Sequence, residues 1–174
     1  RDQSKARATE VEGLLISYVD KVKMVAALLM KESDPADRER ALDLTFRRDP
    51  DLVTTEVISR AGGKPLRIVN EGYLQQYKLD QSFIEILREA QKSRGLIRLN
   101  SLFAGQDNQI EVRNSTIEGG APLLTIGFPL AKDDQGQVTH IVVAEVRLDR
   151  LQKVFASVSE RTLYLVDNEG RLLA

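Results

Sequence analysis

The chain has one histidine, His140, and no cysteine. A Ser–His–acid arrangement would therefore have a single imidazole to draw on, and thiolate nucleophiles, thiolate metal sites and disulfides are all excluded. His140 stands beside Ile141 in a strand-like pattern with no partner at a recognisable spacing, which reads as an ordinary surface or half-buried strand position. Gly62-Gly63 and Gly119-Gly120 are isolated pairs that read as turns, because a phosphate-cradling loop needs a glycine-rich run after a strand. Asp167-Asn168-Glu169-Gly170 lacks the alternating oxygen ligands of a calcium loop. Asp133-Asp134 and the pair Asp49 and Asp51 sit in turn or capping contexts, where acids serve the backbone. No catalytic group, metal set or cofactor motif is on display, and the expected chemistry is binding.

Glu145 is the first candidate. In "IVVAEVR" Val142, Ala144 and Val146 alternate with Ile141, Val143, Glu145 and Arg147, so one face is apolar and the other carries a charge in mid-strand. With the apolar face packed on a long helix, Glu145 projects from the opposite side, where a helix over residues 80–92 and the loop before it can roof a cavity. Arg98 and Asn100, two apart in the strand-like "LIRLNSLF", would share a face and join Glu145 there; the alternative is that all three face water. Tyr73, Tyr77 and Lys78 in "NEGYLQQYKLDQ" complete the candidate ligand-binding set, since tyrosine lines a pocket and offers a hydroxyl, or else covers the edge of a core.

The elements that position these residues follow from periodicity. Ala8, Val11, Leu15, Tyr18, Val22, Val25 and Leu29 step by three and four, the seam of one long helix; Leu14, Ala26 and Leu28 widen it, which suits either a plain core helix or a helix that also meets a partner. Asp34-Pro35 opens a second helix running to Asp49-Pro50. "LVTTEVIS" and "LRIVN" around Gly62-Gly63-Lys64-Pro65 read as a hairpin, Phe83 to Ala90 as a helix, and "QIEVRN", "PLLTIGFPLA" and "VTHIVVAEVRL" as strands. The last two are joined by a polar turn over residues 132–137, and Asp149 to Phe155 forms a short helix. Strand runs and helix runs without alternation give an α+β fold, helices packed on an antiparallel sheet.

Composition agrees. The 174 residues are 42% hydrophobic and 29% charged, enough for one substantial core. With 25 basic against 26 acidic residues the net charge is −1, which offers no field for nucleic acid or an anionic membrane. The longest apolar run, Met24 to Met30, is too short to span a bilayer.

The segments "APLLTIGFPLAKDDQGQVTHIVVAEVRLDRLQKVF" and "RTLYLVDNEGRLLA", after a long helix, a hairpin and a roofing helix, resemble the double Cache sensor domains of bacterial transmembrane receptors. Pro129, Gly136, Leu148, Asp149, Leu151, Leu165, Asp167, Gly170 and Leu172 carry the likeness, which runs from about residue 52 onward. The resemblance implies a long helix over residues 1–32, used for dimerisation and signalling, and a membrane-distal PAS-like Cache module over 33–158. It also implies the first hairpin of an incomplete membrane-proximal module over 159–174.

It further implies a non-catalytic domain on the periplasmic side of an inner-membrane protein, touching membrane only through flanking segments. Its partners would be a small-molecule ligand and a second copy of the chain paired through the long helix, with no nucleic acid and no cofactor. The output would be a nucleotide cyclase, a histidine kinase or a chemoreceptor. Amino-acid-binding members hold the ligand with an Asp where this chain has Glu145, which keeps an acidic group for a cation, and with an Arg-x-Trp-Tyr cluster, which this chain, having no Trp, does not supply. Arg98 and Asn100 fall roughly where the family places other pocket residues. The competing expectations are a structural, dimerising domain whose cavity is filled by its own side chains, and an intracellular PAS-type domain.

Overall fold

The architecture is seen in a computed structural model, which describes residues 2–31, 34–93, 98–105, 109–117 and 121–156, with 166 and 170. Helix α1 (Asp2–Met30) is unbroken over 29 residues, about 43 Å at ~1.5 Å per residue. Four seam positions, Val11, Tyr18, Val22 and Val25, and Ala26 beside them are 5% exposed or less, while Leu15 and Leu29 are half-buried and Ala8 is exposed. Asp34 caps α2 (Pro35–Leu42) by accepting the backbone N–H groups of Ala36 and Asp37. A π-helical turn (Asp43–Arg47) follows and drops Phe46 into the core at 0% exposure.

Strands β1 (Leu52–Ser59) and β2 (Leu66–Val69) form the expected hairpin. Its turn is made by Gly62 and Gly63 at φ +83 and +97, where a side chain would be strained. Then come α3 (Glu71–Gln76), α4 (Ser82–Ser93), α5 (Leu99–Ala104), β3 (Glu111–Asn114), β4 (Leu123–Lys132), β5 (Val138–Arg147) and α6 (Asp149–Ala156). The sheet order is β2-β1-β5-β4-β3, with every neighbouring pair antiparallel and a four-residue strand on each margin. This is the expected α+β architecture.

One sheet face is apolar. Val57, Ile68, Leu124, Ile126, Phe128, Val142, Ala144 and Val146 pack with the α1 seam and with Leu148 and Leu151. A bulge in β1 settles which residues join them: Leu52 pairs with Val146 while Thr54 pairs with Glu145, so Val53 is an extra residue. Without it Leu52 and Thr54 would share a face; with it Leu52 meets the core and Thr54 the opposite side.

Two expectations change. "LIRLNSLF" is not a strand where described: Leu99–Ala104 is helical, because Leu99, Leu102 and Phe103 also satisfy helical spacing and Leu102 finds Val138 and Ile141 to pack on. Gly105 ends this helix at φ +51, its N–H donating to the carbonyl of Ser101. The segment after β2 also holds a helix, α3, started by Asn70. Its side-chain oxygen accepts Tyr73 N–H at 3.2 Å while its Nδ2 donates to the Leu52 carbonyl at 3.0 Å. The closing hairpin and the Gly119-Gly120 turn lie outside the described residues, save for Val166 and Gly170, the latter at φ +78.

Candidate functional site

Strand register assembles the other face of the sheet. One cross-strand row runs Val69, Thr54, Glu145, Thr125, Arg113 from β2 to β3. The adjacent row runs Arg67, Glu56, Val143, Gly127, Glu111. Thr54, Thr125 and Glu145 are 0% exposed, Glu56 4%, Glu111 and Arg113 6%. A band of polar and charged side chains is thus buried across the middle of the sheet. Apolar clusters seal both ends: Val53, Leu123, Tyr73, Leu74, Phe83, Ile84 and Leu87 under α3 and α4, and Leu102, Val138 and Ile141 under α5.

Helix α4 supplies the cation that makes this burial tolerable, since a buried charge must be paired. Ile84 and Leu87 are buried, and Arg88 follows Ile84 by four residues on the same stripe. Its Nη1 donates to Glu145 Oε1 at 2.9 Å and its Nη2 to Glu56 Oε2, so one guanidinium serves carboxylates on two adjacent strands. Arg67 reaches the same Glu56 through Nε at 3.2 Å and Nη2 at 3.4 Å, and Glu85 through Nη1 at 3.2 Å. Partial burial alone would lower the Arg67 pKa; hydrogen bonds and charge attraction to Glu56 and then Glu85 outweigh it, and the pKa is raised.

At the end of β5 Arg147 forms a bidentate pair with Asp149, both contacts at 3.0 Å, and donates from Nη2 to the Tyr77 hydroxyl at 3.1 Å. Tyr77 packs against Tyr73 with ring centroids 4.7 Å apart. Burial, reinforced by Tyr77 and Asp149 and opposed by Arg147, pushes the Tyr73 hydroxyl far above its usual range. Thr54 Oγ1, Ser115 Oγ and the Tyr73 hydroxyl are buried without a hydrogen-bond partner among the described residues.

A second charged cluster lies where α1, β1 and α6 converge. Lys21 Nζ contacts Asp49 Oδ2 at 2.8 Å and Asp51 Oδ2 at 3.2 Å, and Arg150 Nη1 reaches the same Asp51 oxygen at 2.6 Å. The Asp51 carbonyl accepts Arg147 N–H at 2.8 Å. Nearby, burial first and the Asp51 charge second push Tyr18 up to about 12.

The residues singled out from sequence are therefore distributed unevenly. Glu145 is at the centre of the band, under the helix expected to roof it. Tyr73 belongs to the apolar seal, 5% exposed, and Tyr77 is half-buried against Arg147. Lys78 is exposed at φ +55, the left-handed residue after α3. Arg98 and Asn100 are exposed at the start of α5 rather than on a strand beside Glu145, so the shared strand face expected for them does not exist. His140 is half-buried on β5 with Nδ1 3.0 Å from Thr139 Oγ1.

Sequence reasoning missed Arg88, Glu56, Thr54, Thr125, Glu111 and Arg113. The available signals were Glu56 inside the otherwise uncharged "LVTTEVIS" and the four-residue step from Ile84 to Arg88. Among the described residues no group of three His, Asp or Glu side chains converges as a metal site, and no helix is long and apolar enough to cross a membrane.

No protein-family model matches the chain, and no curated protein sequence does. Solved structures do. The ligand-binding domain of the Pseudomonas aeruginosa PAO1 amino-acid chemoreceptor PctC, in complex with GABA, matches with a TM-score of 0.54 at 17% identity, over 97% of this chain and 70% of that one. The ligand-binding domain of the Campylobacter jejuni chemoreceptor Tlp3, in complex with L-norvaline, gives 0.52 at 15%, over 99% and 66%. The periplasmic sensory domain of the Campylobacter jejuni chemoreceptor Tlp1 gives 0.50 at 11%, over 92% and 63%. The chain spans 70%, 66% and 63% of the length of these three domains. At such identities the likeness is one of fold: a long helix and a five-stranded antiparallel sheet built as in chemoreceptor sensory domains.

Proposed function

We propose that this chain is an extracytoplasmic, non-catalytic input domain that binds a small molecule and belongs to a transmembrane signalling receptor. The observation that carries the reading is the buried polar band centred on Glu145 and covered by α4. A sheet face that served only as a core would have little use for six buried polar residues held between two apolar seals. The fold shared with chemoreceptor sensory domains supports the same reading. Two of those domains hold GABA and L-norvaline, each of which carries an amine and a carboxylate. Here Glu145 and Arg113 lie in one row with Thr125 between them, roughly 10 Å apart at ~4.8 Å per strand, and offer opposite charges to such a molecule.

Signalling would run through α1. Its outer side carries Gly13, Ile16, Asp20 and Met24 along a shallow groove, with Ile16 55% and Met24 47% exposed, a surface suited to a second copy of the helix. A ligand that binds one of two α1 arrangements more tightly shifts their ratio by that difference in affinity. Residues 159–174 would open a second module nearer the membrane, and a cyclase, a kinase or a chemotaxis module would read the output.

The ion pair between Glu145 and Arg88 favours one competing reading, a dimerising domain whose site is filled by its own side chains. Thermal-shift screening against a metabolite library separates the two. Sensing expects a saturable hit that is lost in Glu145→Gln while the variant stays folded; a wide library without a hit favours the filled site.

A further inference from the structure

We propose that residues 49–53, which lead into and begin β1, are a mechanical link between the two faces of the sheet: through them the roof over the polar band and α1 bias each other's position. The proposal builds on the reading of α1 as the output element. The roof, α3 with α4, packs on the polar face and α1 on the apolar one, with the close-packed sheet between them. Residues 49–53 are bonded to both.

Both ends of α3 are fixed to this segment. At its start Asn70 donates from Nδ2 to the Leu52 carbonyl at 3.0 Å and from its backbone N–H to the Val53 carbonyl at 2.9 Å. At its end the Tyr77 hydroxyl accepts from Arg147 Nη2 at 3.1 Å, and the Arg147 backbone N–H donates to the Asp51 carbonyl at 2.8 Å. Tyr73 carries the attachment on to α4, its ring centroid 4.7 Å from that of Tyr77 and 6.4 Å from that of Phe83. Towards α1 the same segment presents side chains: the Asp49 and Asp51 carboxylates meet Lys21 Nζ at 2.8 and 3.2 Å. Backbone carbonyls thus hold the roof while carboxylates hold the helix. A turn of the segment about its own axis disturbs both sets together. Pro50 and Asp51 form a bend ahead of the ladder, and Val53 is an extra residue within it, so such a turn leaves the rest of β1 paired.

Tyr77→Phe removes the hydroxyl on the roof side and keeps the ring; Lys21→Met removes the cation on the α1 side. In urea unfolding, independent sites combine to within about twofold in the unfolding constant. This pair is expected to depart from the product of its single variants by at least about threefold. Arg60, just past the opposite end of β1, donates to the Phe103 carbonyl, and Tyr77→Phe with Arg60→Met should combine simply. Position is read separately. The chain has no cysteine, so Ala27→Cys on the exposed side of α1 and Asp134→Cys in the β4–β5 turn each take one nitroxide. Pulsed electron resonance, on samples diluted with unlabelled chain, gives the distance between them.

Tyr77→Phe, or Arg147→Lys, which keeps the charge but not the fork, should shift that distance by about 1–2 Å; Arg60→Met should leave it unchanged. Simple combination of Tyr77→Phe with Lys21→Met overturns the proposal. An equal departure in the Arg60→Met pair, or an α1 distance that ignores both roof-side substitutions, overturns it as well. These measurements use no ligand, so their outcome is separable from the library screen. A screen without hits beside coupled sites leaves the link and removes the sensing role. A hit beside sites that combine simply leaves sensing and removes the link.

Discussion

Arg150 of α6 ends on Asp51 at 2.6 Å, although Asp51 is 2% exposed and the Arg150 side chain 51%. The shared oxygen also receives Lys21, so the long helix and the last described helix are fastened to the start of β1 by one carboxylate. Asp51→Asn should destabilise the chain by about 2–3 kcal/mol, below the full penalty for breaking a buried pair because both cations keep access to water. Urea unfolding measures it. A double-mutant cycle with Arg150→Met should return a coupling; simple additivity would show that the contact does not join the two helices.

Tyr18 gives an alkaline signature. Its folded pKa is pushed up to about 12 from 10.0, chiefly by burial. The unfolded chain therefore loses this proton first, and stability present below pH 10 falls as pH rises towards 12. For Lys21 desolvation is the largest single effect and lowers the pKa, but hydrogen bonds and charge attraction to Asp49 and Asp51 together outweigh it and raise the pKa from 10.5, which adds a loss of the same sign above that value. Tyr18→Phe should flatten the decline between pH 10 and 12. At pH 7 it should be neutral or slightly stabilising, because the hydroxyl is buried without a partner among the described residues. An unchanged alkaline limb in denaturant midpoints would contradict this.

Gly105 joins a left-handed φ of +51 to a collision: a Cβ there would strike Val138 Cγ2, and Val138 is 2% exposed and stiff at χ1. Gly105→Ala should cost about 2–4 kcal/mol, from backbone strain and overpacking together. Gly62→Ala, also at positive φ but with open space around it, should cost only the backbone share, about 1–2 kcal/mol. Thermal unfolding of the pair separates the two contributions.

Lys78 adopts φ +55 after α3, a conformation that side chains resist. Lys78→Gly should raise stability by about 0.5–1 kcal/mol, the relief of strain exceeding the added freedom of the unfolded chain. A lower unfolding midpoint would mean that the lysine stem packs usefully there.

Long periodic stretches were legible in the sequence and short ones were not. α1 shows its seam over many turns, and the β1–β2 and β4–β5 hairpins announce themselves through β-branched runs and turn glycines. By contrast α3 and α5 have six residues each, too few for a helical period to stand apart from strand alternation. That is why Arg98 and Asn100 were expected on a strand. Glu145 was legible because alternation sets it opposite Ala144, and the roof over it because Phe83 to Ala90 is periodic. Arg88 and Glu56 were not, since their pairing depends on register and on a bulge at Val53 that no local pattern encodes. The order of elements after residue 52 was read partly from family resemblance, and the fold of the similar solved structures agrees with it.

The sheet's two outermost strands, β2 and β3, have four residues each. So brief a run of unpaired amides and carbonyls makes each of these edges a poor template for a stranger's backbone. Association through either of these two edges would then depend on side chains more than on backbone pairing.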